Sequence, residues 1–347
     1  MNAFPDSLTE RQYPGSKLDL AGLGPRRTEP INMLATLLFS LSLVGSQTAP
    51  SLTPGKTYDM PKPGRFDVVT YDRKFHRVLA AHSAAGTLAV LDTQSGKVDE
   101  IETGPINGVA VSNKANKIFV GGGNNKLVVL DRETLKVLST IDLGGPADVI
   151  AVDSKRGQVY VSHDDGTEDW VFDAETLKPL GTVTIEEAPE FLEYDTATDK
   201  IYQNIKSTDH VQVIDPEAKK VVATWPTAPM KSPHGLVLDR RAGRAYSAGK
   251  NGKMVVFEIA SGKIVATLDI APGTDQIAID ARFGRVYSPG TDKMTIIDTT
   301  GAEPKVIGDV PMPHGVRSLA VDTGTHDVWV VYGDDKSSHI AQFKAAQ

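Results

Sequence analysis

Residues 149–184, VIAVDSKRGQVYVSHDDGTEDWVFDAETLKPLGTVT, decide the fold. Four short runs rich in β-branched and aromatic residues stand in this stretch: Val149–Asp153, Val159–Val161, Val171–Asp173 and Leu180–Thr184. Gly, Asp and Lys turns separate them, the signature of consecutive β-hairpins. No sustained helical period runs through them.

Outward from there the pattern repeats. The third run, two apolar residues and an acid, recurs as Val90-Leu91-Asp92, Val129-Leu130-Asp131, Val213-Ile214-Asp215, Val256-Phe257-Glu258 and Ile296-Ile297-Asp298. Successive acids lie 39, 42, 42, 43 and 40 residues apart. The second run recurs as Ile118-Phe119-Val120, Ile201-Tyr202 and Val328-Trp329-Val330, and the first as Ile277-Ala278-Ile279-Asp280 and Leu319-Ala320-Val321-Asp322. Four strands per ~40–45 residues is the period of a β-propeller blade. Opening strands are expected at Phe66, Gly108, Val149, Phe191, Gly235, Gln276 and Ser318. The last unit has three strands, Ser318–Asp322, Asp327–Tyr332 and His339–Lys344, and Lys56–Met60 is expected to supply its fourth. Such closure removes the free edge that invites aggregation. The fold class is therefore all-β: a seven-bladed β-propeller of four-stranded blades, the last blade closed by an N-terminal strand.

The "hydrophobic-Tyr-Val" second run (Val159-Tyr160-Val161), the "Val-x-Val-Ile-Asp" third run (Val211–Asp215) and a Gly/Pro turn before the next unit (Gly145-Pro146) carry a resemblance. The chain resembles the YncE-like, or YVTN-repeat, propellers over residues 56–347. The resemblance implies a seven-bladed fold and an exported binding or scaffold protein. It implies little about the ligand, because these repeats are structural. Tyr202-Gln203-Asn204 departs from the pattern, and the last unit lacks the acid after its third strand. No Gly-His or Trp-Asp dipeptide occurs, which argues against a WD40 protein.

The chain of 347 residues carries 37 Lys and Arg against 44 Asp and Glu, a net charge of −7. That balance argues against a nucleic-acid partner. There is no cysteine, so a disulfide, a thiolate metal site and a cysteine nucleophile are all excluded. Arg26-Arg27, the twelve-residue apolar run Met33–Val44 and small Gly45-Ser46 read as a secretory signal. The run is too short to span a bilayer as a helix, for which ~20 residues are needed. A twin-arginine signal and a buried N-terminal helix are the other readings, and Met33 is an alternative start. The expected organisation is a leader over 1–46, a linker over 47–55 and the propeller over 56–347. The expected location is periplasmic or secreted, with no membrane span once the leader is removed, and the protein is expected to be a monomer.

Counting back five residues from the end of each opening strand gives Asp67, Asn107, Asp148, Glu190, His234, Asp275 and Arg317, all polar. In a propeller these positions fall on the face where the channel opens. His82 and His163 end second strands, while His234 and His314 follow prolines ahead of first strands, so these four belong to the same face. The ten residues form the candidate ligand site. A divalent metal is the candidate cofactor, with Asn107, Asp148, Glu190 and Asp275 as ligands. His234 and Arg317 are the candidate catalytic groups, as base and oxyanion holder. A solvated channel mouth and polar turns would also place such residues there. His76, His210, His326 and His339 read as surface residues, Asp164–Asp169 as a solvated hairpin tip, and Trp170, Trp225 and Trp329 as inter-blade core. No nucleophile elbow, His-Glu-x-x-His or phosphate-binding loop is present. Two functions follow: a binding protein holding a small molecule, peptide or protein on the funnel face, or a metal-dependent hydrolase or lactonase built on the same ring.

Overall fold

The computed structural model describes residues 52–345, all strands and turns. The leader expected over 1–46, with its apolar run, lies outside the described residues. Twenty-eight strands form seven antiparallel four-stranded sheets. Each sheet is one repeat, with its strands in sequence order from the channel outward. Blade 3, for example, comprises Ala147–Asp153, Gln158–His163, Glu168–Asp173 and Pro179–Thr184. The chain is a seven-bladed β-propeller.

The last blade is the exception the repeat count requires. Ser318–Asp322, Asp327–Gly333 and Ser338–Ala345 are joined by Leu52–Asp59, which pairs antiparallel with Ser338–Ala345. The closing strand starts at Leu52, four residues before the expected Lys56, and bulges between Pro54 and Thr57. His339 Nδ1 meets Asp59 Oδ1 across this seam at 2.8 Å. No helix among the described residues is long and apolar enough to cross a membrane.

The second and third strands of each blade carry the core. Tyr160, Tyr202, Tyr246, Tyr287 and Trp329 hold the same place in successive second strands, and all are buried. A large flat side chain there fills the wedge between one blade and the next. Tyr160 also donates its hydroxyl to the carbonyl of Pro216 in blade 4, at 3.1 Å. Trp170 is buried beside His163, and Trp225 packs between Tyr202 and Phe257. Trp170 and Trp329 are core, as expected, whereas Trp225 is half-buried at the edge of the packing between blades 4 and 5. The outermost strands expose apolar residues near their starts, among them Val137, Leu138, Val222 and Val265.

The acids of the repeat are turn formers. Asp131 and Asp173 each accept the backbone N–H groups two and three residues on, and Asp92 and Asp215 do the same. This geometry satisfies the backbone of the tight turn between third and fourth strands. The recurrence of these acids is therefore explained by backbone chemistry alone.

Candidate functional site

The ring expected from the five-residue count exists. Asp67, Asn107, Asp148, Glu190, His234, Asp275 and Arg317, one from each blade, line a single cavity of about 410 Å³ at the channel mouth. Arg65, Asp164, Lys206 and Lys250 complete it, so every lining residue is polar or charged. The volume is in the range of small-molecule sites, but the lining lacks their usual apolar wall.

Local strand geometry aims these side chains. In blades 3, 4 and 5 the pairing of first and second strands slips between Ala147 and Ile150, Pro189 and Leu192, and Pro233 and Leu236. Asp148, Glu190 and His234 sit inside these three bulges. A bulge adds a residue to one strand and turns its side chain out of the regular alternation. Here it turns them toward the mouth. Neighbouring blades then tie the ring together. Val68 N–H donates to the Asn107 carbonyl, Gln276 N–H to that of Arg317, and Asn204 Nδ2 to that of His234.

Charge is distributed unevenly around the cavity. Asp275 holds two cations, Lys250 and Arg317, the latter through Nε at 3.1 Å. Lys206 Nζ lies 3.1 Å from Glu190 and also reaches Asp164 and Asp165. His234 Nδ1 donates to the Ser232 carbonyl at 2.8 Å, which leaves Nε2, 3.4 Å from Glu190, facing the mouth. Burial, with Lys250 and Lys206 nearby, pulls His234 down to about 4, so its ring is neutral at pH 7. Burial pushes Glu190 up to about 7 against the opposing pull of Lys206.

Asp67 and Asp148 form no ion pair with any described residue. Burial and the neighbouring Asp275 raise Asp67 to about 6, with Arg317 and Arg65 opposing. Burial raises Asp148 well above the carboxylate range, and Glu190, Asp67 and Asp164 add to that effect.

Three of the expected residues do not join the site. His82 is fully buried, stacked on Phe66 at 4.2 Å, with Nδ1 on Glu100 at 3.0 Å. His163 lies against Trp170, crowding Gly145 and Gly166. Both end a second strand, and in blades 3, 4 and 5 it is the residue after that strand that reaches the mouth: Asp164, Lys206 and Lys250. A one-residue step along a strand exchanges faces, so Asp164 and not His163 lines the mouth. His314 is 92% exposed and bonds Asp292. Gly315, at φ 87°, turns the chain after it, so Pro313-His-Gly is a turn, whereas Pro233-His-Gly is strand.

The proposed metal set does not converge. Among the described residues no group of three His, Cys, Asp or Glu could hold a metal ion. Asn107, Asp148, Glu190 and Asp275 come from blades 2, 3, 4 and 6, and the ring holds them apart. Lysine ammonium groups already neutralise Glu190 and Asp275.

Of the remaining histidines, His326 corrects the surface expectation. Its Nδ1 lies 2.5 Å from the fully buried Asp280 of blade 6. His210 and His339 are partly buried in pairs with Glu186 and Asp59, and His76 is exposed.

Below the mouth the channel continues into a second cavity of about 270 Å³, lined by Val68, Val109, Ile150, Phe191 and Glu193 among others. Gln276 lines this cavity and not the mouth. Its side chain passes blade 7 and pairs with blade 1, accepting from Val69 N–H at 2.9 Å and donating to the Val69 carbonyl at 2.8 Å. It works as one residue of β-ladder made by a side chain.

No family model matches the chain, and no curated protein matches it. Solved structures do. A chain of the crystal structure of a mitotic checkpoint complex superposes with a TM-score of 0.75 at 14% identity, covering 96% of this chain and 99% of its own. A chain of the hydrazine synthase of Kuenenia stuttgartiensis gives 0.70 at 14% identity, covering 82% and 97%. At such identity the likeness establishes the propeller fold and nothing further.

Proposed function

We propose that this protein is an exported, YncE-like propeller that binds a small polar ligand at the channel mouth. One observation carries this reading: seven residues from seven blades, picked out by a single repeat position, line one cavity with no apolar wall. A blade needs no buried or half-buried carboxylate there for its own pairing. The turn acids, by contrast, each bond backbone. The repeat pattern of the second and third strands supports the kinship with YVTN-repeat propellers, and the apolar run after Arg26-Arg27 supports export.

The hydrolase reading has less behind it, because the candidate ligands do not converge and two of their carboxylates hold lysines. A thermal-shift screen of polar metabolites, comparing wild type with Arg317→Ala, tests binding at the mouth. Stabilising compounds that lose their effect in the variant are expected. Hits indifferent to it would move the site off the mouth.

A further inference from the structure

The mouth is polarised across its diameter. On one side, blades 3 and 4 contribute three carboxylates, Asp148, Asp164 and Glu190, against a single ammonium, Lys206. Lys206 is engaged by Glu190 and Asp165, and Asp148 is left without a counter-charge. On the other side, Lys250, Arg317 and Arg65 outnumber Asp275 and Asp67. Arg317 is more than a third exposed, and Arg65, which is exposed, forms no ion pair with a described residue. Opposite charges at the two sides of a polar cup, with no apolar wall between, are complementary to a ligand carrying both charges at its ends.

We propose that the ligand is a small zwitterion, its ammonium group held by Asp148 and its carboxylate held by Arg317 on the far side of the mouth. This rests on the mouth being the binding site and adds the ligand class. Asn107 stands between Asp67 and Asp148 in the ring. Its Nδ2 donates to the Ala147 carbonyl, which orients the amide. A bare anion would meet the carboxylates of blades 3 and 4, and a bare cation would meet Lys250, Arg317 and Arg65 of blades 5, 7 and 1. Only a dipolar molecule relieves both.

The groups facing Asp148 are Glu190, Asp67 and Asp164, which oppose its ionisation, and Lys206, which favours it. An arriving ammonium therefore makes the ionised form of Asp148 favourable and displaces its proton to solvent.

The test is calorimetry on the whole chain with ω-amino acids from β-alanine to 8-aminooctanoate, alongside hexanoate and hexylamine as single-charge controls. One member of the series is expected to bind tighter than both controls. Asp148→Asn and Arg317→Gln should each weaken it by roughly tenfold or more. Titrations in two buffers of different protonation enthalpy should show proton release that Asp148→Asn abolishes. Hexanoate or hexylamine binding as tightly as the best amino acid, or affinity unchanged in Asp148→Asn, would overturn the zwitterion assignment. So would silence from every charged probe. The mouth itself loses its claim only if the broader polar screen also yields nothing sensitive to Arg317→Ala.

Discussion

The two faces of the propeller use the same residue types for opposite purposes. On the face of the first-to-second turns, acids end the inner strands, and Asp72, Asp153, Asp195 and Asp280 are paired. Asp72 is fully buried between Arg77 and Arg132, with Arg132 Nη2 at 2.6 Å. Arg132 belongs to blade 2, so the cluster bolts two blades together. Asp195 to Arg240 and Asp280 to His326 make similar links between later blades. Burial alone would raise Asp72, but the two guanidinium groups outweigh it and hold the carboxyl below its usual value. At the mouth, five residues back along the chain, Asp67 has no ion-pair partner among the described residues and burial raises it. A charge that is compensated serves the fold. A charge left uncompensated in a cavity awaits a partner from outside.

This contrast can be broken, and the largest effect should come from the paired face. Asp72→Ala leaves two buried arginines without a counter-charge, and urea unfolding should show a loss of ~3–5 kcal/mol. The matching change at the mouth, Asp67→Asn, should leave stability unchanged or slightly raised. A loss there comparable to that of Asp72→Ala would erase the distinction between the faces.

The channel beneath the mouth gives the next test. Gln276→Ala removes two buried hydrogen bonds to Val69 and leaves that backbone unsatisfied, a cost of about 1–3 kcal/mol. Gln276→Glu should also destabilise, since a carboxylate cannot donate to the Val69 carbonyl. Equal stability of wild type and Gln276→Ala in denaturant titrations would mean that the crossbar carries no load.

Acid should separate the faces in a single experiment. Mouth carboxylates have folded pKa values above their unfolded ones, about 7 for Glu190 and about 6 for Asp67. Their ionisation costs folded stability at pH 8. Stability should therefore rise as pH falls through 7 toward 5, by on the order of 1–2 kcal/mol, because protonation favours the folded state. Asp72 and Asp309 have lowered values. Their contribution is present above the unfolded carboxylate pKa and is lost as pH falls below it. The expected profile has a maximum near pH 5. A Glu190→Gln and Asp148→Asn double variant should make its neutral limb shallower, with Asp67 and Asp169 left to contribute the rest, and leave its acid limb intact. A neutral limb unaffected by these changes would contradict the assignment.

The smallest effect comes from a carboxylate at neither face. Asp169 lies wholly buried between blades 3 and 4, accepting from Gln203 Nε2 at 2.9 Å, with Oδ2 unpartnered. Burial pushes it up to about 7. Asp169→Asn keeps an acceptor and removes the charge, so melting at pH 8 should move upward by an amount corresponding to about 1 kcal/mol. A downward shift would mean that the charge is compensated.

Much of this was legible in the chain. The blade count, the closing strand and the seven ring positions follow from a period and an offset, because a strand alternates its faces and a repeat keeps its register. What was missed lies one step beyond that logic. Asp164, Lys206 and Lys250 share a repeat position immediately after the second strand, but an acid and two lysines there look like ordinary turn residues in the sequence. The bulges that aim Asp148, Glu190 and His234 carry no composition signal. Gln276 reaches Val69 across 207 positions, and only the closed ring brings them together.

The sequence by itself determined the blade, its turns and which residue types would gather at the channel mouth, since these rest on local pairing and backbone turn chemistry. Only the tertiary structure decided what those residues do to one another. Ring closure sets the spacing between blades, and that spacing kept the proposed metal ligands apart. Packing within blade 4 gave Lys206 to Glu190, the contact between blades 5 and 6 gave Lys250 to Asp275, and Asp148 was left without a counter-charge. Electrostatic interactions depend on distance and burial, and neither is written in the order of the residues.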